Sequence, residues 1–298
     1  MRVTMRTLYN QIKTDLWNIT EQMNLNTSRL SSGKIYRSPS DEPVALTHAL
    51  TLRTQLATTA QLKRNIVYAK GWQRATENVL QKVEERLVRA RTLAVQGAND
   101  AQNTHTRLTI AKEIHAIMEE LVTLGNTRFG GRYIFGGTKT KDYDRGEAPF
   151  VINQYGDVEY KGNRQKIEIK VADATKVAVN VDGQAAFMEG GIFEGLKKLY
   201  HALVQNSRED IDASIGAIDQ SLKHLNVEIA RIGAVSNSLE SYGDVADTME
   251  FTDKERLSDV EDVNMVETAA DLASLQTSYQ ASLSAAAKVM QLSLAQFI

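Results

Sequence analysis

The glycine-rich run from Gly130 to Thr138 is the stretch whose residue types come nearest to a chemical device. A phosphate-cradling loop reads G-x-x-x-x-G-K-[ST], because its backbone amides and its lysine must both reach the phosphates. Gly131 and Gly136 are spaced correctly, but Gly137 stands where the lysine is required, and no apolar strand leads in. Turns in a β-rich segment account for these glycines, and no nucleotide is expected. The five histidines, His48, His105, His115, His201 and His224, show no metal-ligand spacing such as H-E-x-x-H. The absence of cysteine excludes disulfides, thiolate zinc sites, iron–sulfur clusters and a cysteine nucleophile. One acidic cluster stands out, Asp259, Glu261 and Asp262. It is read as the first turn of the final helix, where the macrodipole favours negative charge. No nucleophile stands beside a base, so no catalysis, cofactor or metal is expected.

Charge gives no other partner class. Lys and Arg number 35 against 37 Asp and Glu, a net charge of -2, which offers no electrostatic case for nucleic acid or an anionic membrane. No segment approaches the roughly eighteen uninterrupted apolar residues of a membrane span. The start, MRVTMRTLYNQIKTDLW, has no apolar core of the kind a cleavable signal carries. The chain of 298 residues is long enough for two or three domains, and only 3 prolines interrupt it, which suits long helices.

The elements left to explain are helices with apolar stripes. Leu272, Leu275, Tyr279, Leu283, Ala286, Met290, Leu294 and Phe297 recur at steps of three and four, one stripe on a long final helix from Ser258 to Ile298. Met5, Leu8, Ile12, Leu16, Ile19, Met23 and Leu30 repeat the pattern near the start, the last step passing over Asn26. Two outcomes fit: the terminal helices close an ordinary bundle, or they pair and keep surface for neighbouring subunits.

Between them, Leu30–Leu46 reads as a structured turn. Gly33 stops the first helix, Pro39 and Pro43 prevent continuity, and Asp41 or Ser40 is placed to cap the next helix. Helical patterns run from Val44 to about Gly97, with a heptad seam at Leu80, Val83, Leu87, Ala90 and Ala94. Another helix carries Leu108, Ala111, Ile114, Met118 and Leu121 on one face. From Phe129 to Gly191 the apolar period falls towards two and glycines are dense, with a hairpin signal at Gly156-Asp157. This segment is too small for a large core of its own, and Gly130-Gly131 and Gly190-Gly191 look like flexible boundaries. Helix returns at Ile192, then Ile211, Ile215, Ile218, Leu222, Leu225, Ile229, Ile232, Ser236 and Leu239 form the longest seam. Polar Asp253–Ser258 is expected to lead into the final helix. The expected fold is mainly α: an elongated coiled-coil or helical-bundle rod from the two halves of the chain, with an inserted small β-rich domain. Residues 1–43 and 254–298 would be terminal helices, 44–128 and 192–253 a helical rod, and 129–191 the outer insertion.

Three stretches resemble the flagellin family. LSSGKIYRSPSDEP, Leu30 to Pro43, is similar to the turn that follows a flagellin's first helix, and LAVQGAND, Leu93 to Asp100, to the end of a core helix. GGRYIFGGTKT, together with the C-terminal stretch from Ser258 to Ile298, resembles the family's hook–filament junction branch, as do Arg2-Val3-Thr4 and the ending Gln296-Phe297-Ile298. Asn264 departs from that pattern, which often has Asp there, and Ser258 is left to cap the final helix. The resemblance implies a structural, non-enzymatic subunit needed for motility. It implies secretion without a cleaved signal, through the flagellar export apparatus with an export chaperone, to the outside of the cell. It implies self-assembly between a first hook-associated junction protein and flagellin. The terminal segments, poorly ordered in the free chain, would then present an assembly interface of Leu8, Ile12, Ile19, Met23, Leu30, Leu275, Tyr279, Leu283, Met290, Leu294 and Phe297. Filament flagellin itself and a non-flagellar coiled-coil rod are the rival readings.

Overall fold

A computed structural model of the chain describes residues 2–36, 38, 40–99, 103–141 and 148–295. Among them are six α-helices: α1 (Arg2–Ser32), α2 (Pro43–Ala98), α3 (Thr104–Gly125), α4 (Ile192–Gln205), α5 (Arg208–Glu261) and α6 (Met265–Ala295). Between α3 and α4 lie β1 (Arg128–Phe129), β2 (Arg132–Tyr133), β3 (Phe150–Ile152), β4 (Val158–Tyr160), β5 (Glu168–Lys170) and β6 (Lys176–Ala178). They pair as three separate two-stranded antiparallel hairpins, β1 with β2, β3 with β4 and β5 with β6. The fold is mainly α with a small β-rich insertion, as the periodicities predict.

The chain divides into two compact units, Met1–Thr58 with Met249–Ile298, and Thr59–Thr248. The second unit is organised by apolar seams. Leu80, Val83, Leu87, Ala90 and Ala94 of α2 are buried, as are Ile114, Met118 and Leu121 of α3 and Leu196, Leu199 and Leu203 of α4. On α5 the fully buried row is Ile211, Ile218, Leu225, Ile232 and Leu239, one residue in every seven. Full burial of one such side chain stabilises by roughly 1.5–3 kcal/mol, so these rows dominate the unit's stability. Ile215, Leu222 and Ile229, which the sequence places in the same seam, are only partly buried and pack on its flank. Ser214, Ser221 and Glu228 are buried in their stead. Ser221 Oγ accounts for its own burial by donating to Gly190 O at 2.6 Å.

The β-rich segment has no core of its own. Phe135, Phe150 and Phe187 belong to the same buried cluster as Trp72 and Leu196. Phe150 and Phe187 meet edge-on at 5.0 Å between ring centres. The glycine pairs at its borders sit in turns. Gly130 and Gly131 take φ +57° and +77° in the turn between β1 and β2, and a side chain at Gly190 would come within 2.8 Å of the His224 ring. The hairpin expected at Gly156-Asp157 is present, with Ile152 opposite Val158.

One helix limit and one helix cap differ from the sequence reading. Helix α5 runs straight through Asp253–Ser258 to Glu261. That polar run is made of residues that tolerate a helix, and Lys254 pairs with Glu250 one turn back at 2.5 Å. At the start of α2, Asp41 does not cap the helix. Its carboxylate accepts from the Ser38 amide at 3.0 Å and the Ser38 hydroxyl at 2.8 Å, closing the turn instead. The first amide bond of α2, Leu46 N to Glu42 O, lies one residue too far along for Asp41 to serve. Pro39 lies outside the described residues.

Candidate assembly interface

The first unit is closed where its two chain segments cross. Gly33 stops α1 with φ +70°, a left-handed conformation that side-chain-bearing residues adopt at a cost. Its amide donates back to Arg29 O at 2.8 Å. The chain then runs antiparallel to the segment leaving α5: Ile35 N donates to Glu261 O at 2.8 Å, and Val263 N to Gly33 O at 3.0 Å. Side chains lock the crossing. Lys34 Nζ lies 3.0 Å from Glu261 Oε2 and 2.7 Å from Asp262 Oδ1. Arg53, on α2, lies 2.7 Å from Glu261 Oε1 and donates to Oε2 at 3.0 Å. The Glu261 side chain is 8% exposed, so its charge is met by two cations in a partly dehydrated place. Ser258 Oγ donates to Asp262 Oδ2 at 2.7 Å, and Arg29 Nε to Ile35 O at 3.1 Å.

These contacts move both ionisable partners. The hydrogen bond from Lys34, then that from Ser258, holds the Asp262 carboxyl below its ordinary 3.8. The hydrogen bonds to Asp262 and then to Glu261 raise Lys34 above its ordinary 10.5. The acidic cluster is thus not the opening turn of the final helix. Asp259 and Glu261 lie in the last turn of α5 and Asp262 just beyond it. Negative charge is disfavoured at that end of a helix, and Lys34 and Arg53 are what offset it. Helix α6 starts three residues later and is capped by Asn264, whose Oδ1 accepts from Glu267 N at 3.3 Å. Asn264 therefore does the capping that the sequence left to Ser258.

From this crossing α1 and α6 pack against each other. Ile12, Leu16, Ile19, Met23 and Leu30 on α1 and Leu272, Leu275 and Tyr279 on α6 are partly buried. Asn26, the gap in the first stripe, is itself buried. Leu8, Leu283 and Met290 are exposed. On α6 the half-buried place next to Tyr279 goes to Ser282, because the helical period drifts away from a stripe counted in fours. The Leu294 side chain and Phe297 lie outside the described residues. Among the described residues of these two helices, four exposed large apolar ones lie outside the sequence stripes: Tyr9, Trp17 at 65%, Met265 and Val266 at 82% exposure. Trp17 also lines an open groove with Thr20, Glu21, Asn24 and Leu25. They fall off the counted stripes, and only the orientation of the paired helices reveals them.

Among the described residues, no three His, Cys, Asp or Glu residues could hold a metal. The glycine run is spent on turns: Thr138 N donates to Asn163 Oδ1 at 2.9 Å, and a side chain at Gly137 would strike the Asn163 carbonyl. Among the described residues, no helix is long and apolar enough to cross a membrane.

Known proteins resemble this chain in sequence and in fold. The chain is 26% identical to flagellar hook-associated protein 3 of Escherichia coli K12 across 99% of both chains. It is 24% identical to flagellin FlaB1 of Treponema pallidum, across 74% of this chain and 71% of that one. In fold it resembles FlgL of Bacillus cereus, with TM-score 0.60 and 24% identity, over 70% of this chain and 99% of that one. It also resembles the flagellar junction protein FlgL of Legionella pneumophila, with TM-score 0.58 and 16% identity, over 70% and 100%. The N-terminal helical region of bacterial flagellin matches residues 3–140, which take in α1, and its C-terminal helical region matches residues 215–298, which take in α6, so the chain belongs to the flagellin family.

Proposed function

We propose that this chain is a structural, non-catalytic subunit of the bacterial flagellum that joins the hook to the filament. The observation that carries this reading is coverage. The flagellar hook-associated protein 3 of E. coli aligns end to end, over 99% of both chains. A filament flagellin is the second reading, supported by the family. The subunit sits outside the cell and reaches its place through the flagellar export apparatus with a chaperone. It assembles with its own copies, a first hook-associated junction protein on the hook side, and flagellin on the other.

The terminal stretches, about 1–43 and 254–298, form the inner assembly region. Residues 44–128 and 192–253 form the surrounding helical layer, and 129–191 the outer part. The contact residues are Leu8, Ile12, Ile19, Met23, Leu30, Leu275, Tyr279, Leu283, Met290, Leu294 and Phe297. The exposure of Leu8, Leu283 and Met290 beside half-buried Ile12 and Leu275 supports a face that is filled only in part within one copy. In a strain lacking the chain, hooks should persist, flagellin should escape into the medium and motility should be lost. Normal attached filaments in that strain would overturn the reading.

A further inference from the structure

The crossing of Gly33–Ile35 with Glu261–Val263 stands at the base of both terminal helices. Helix α1 ends at Ser32 and α6 begins at Met265, so whatever holds this crossing fixes where the two start. Its parts come from three places in the chain: Lys34 from the turn, Arg53 from α2, and Glu261 with Asp262 from the end of α5. Its charge is unbalanced without the N-terminal contribution. From Glu240 to Asp262 there are nine Asp and Glu against two Lys and Arg, whereas Val44 to Thr76 contains no acidic residue. The last turn of α5 adds the negative end of its own dipole to that excess.

We propose that this crossing is a charge-operated latch: with Glu261 and Asp262 ionised and engaged by Lys34 and Arg53 it holds the bases of α1 and α6 together, and neutralising the carboxylates releases both. Because Glu261 and Asp262 are presented by the end of α5, the latch shuts only after α5 has formed. It thereby ties the presentation of the α1/α6 pair to completion of the chain between them. The groups that face one another are Lys34, Arg53, Glu261, Asp262, the Ser258 hydroxyl and, on the Ile35 carbonyl, Arg29. The sign of the pH response follows from the two displaced groups. Asp262, depressed, contributes stability above its ordinary 3.8 that is lost as pH falls through its lowered value. Lys34, raised, contributes stability below its ordinary 10.5 that is lost as pH rises through its raised value. The latch is shut across the neutral range and opens at the acid and alkaline extremes.

The test is hydrogen exchange on the free full-length protein, and it does not depend on a flagellar role. The readout is exchange of segments 29–36 and 258–263 relative to the seams at 80–94 and 215–229. Glu261→Gln with Asp262→Asn should speed exchange at the crossing by about tenfold or more, the loss of at least one charge-assisted hydrogen bond, and leave the seams unchanged. The milder Asp262→Asn and Lys34→Met should each speed the crossing, and their combination should be no worse than the stronger single change. Acidifying the unaltered protein below 3.8 should shift the ratio in the same direction. Unchanged ratios in all of these, or crossing and seams speeding together, would overturn the latch.

Discussion

Arg107 is the buried residue that hydropathy hid. Its guanidinium donates from Nε to Gly97 O at 2.8 Å and from Nη1 to Asn206 Oδ1 at 2.6 Å. One side chain thus satisfies the end of α2 and the turn between α4 and α5, where helix carbonyls lack partners. The apolar stripe on α3 starts at Leu108, which is exposed, while Arg107 occupies the buried place in line with Ile110 and Ile114. The period was legible, but its phase at this end was not. A count of apolar residues cannot register an arginine whose partners are carbonyls distant in sequence. Arg107→Met should destabilise the protein by about 2–4 kcal/mol, since it leaves those buried acceptors without a donor. Urea denaturation checks this, and a loss below about half a kcal/mol would show that the carbonyls find other partners.

At the scale of elements, α5 shows both what periodicity predicts and where it stops. The seven-residue repeat of Ile211, Ile218, Leu225, Ile232 and Leu239 is plain in the sequence and is the buried row in the structure. The burial of Ser221 depends on a carbonyl of another segment, Gly190 O, so only the fold reveals it. The helix end was misplaced for a related reason. The polar run Asp253–Ser258 reads as a break, but the break lies at Asp262–Asn264, set by the crossing strand and by the Asn264 cap. Leu225→Asp should cost about 4 kcal/mol or more, because it puts an unpaired carboxylate at a fully buried position. Thermal unfolding measures it, and a variant that melts with the parent would mean that water reaches the seam.

For the whole molecule, the terminal stripes were readable as pairing faces, and α1 and α6 do pack on each other. What remained open after pairing was not readable, because it depends on how each helix is rotated against its partner. Trp17 is the largest side chain so left. Trp17→Ser should change the stability of the free chain by less than about half a kcal/mol, as for an exposed position. It should nevertheless reduce filament retention in cells. A folded, stable variant with normal filaments would remove Trp17 from the assembly face. A joint and a filament subunit differ in where they sit. Labelling the chain on isolated hook–filament complexes is the most direct measurement. Label confined to a short zone where hook meets filament is the predicted result, and label along the length of the filament would contradict it.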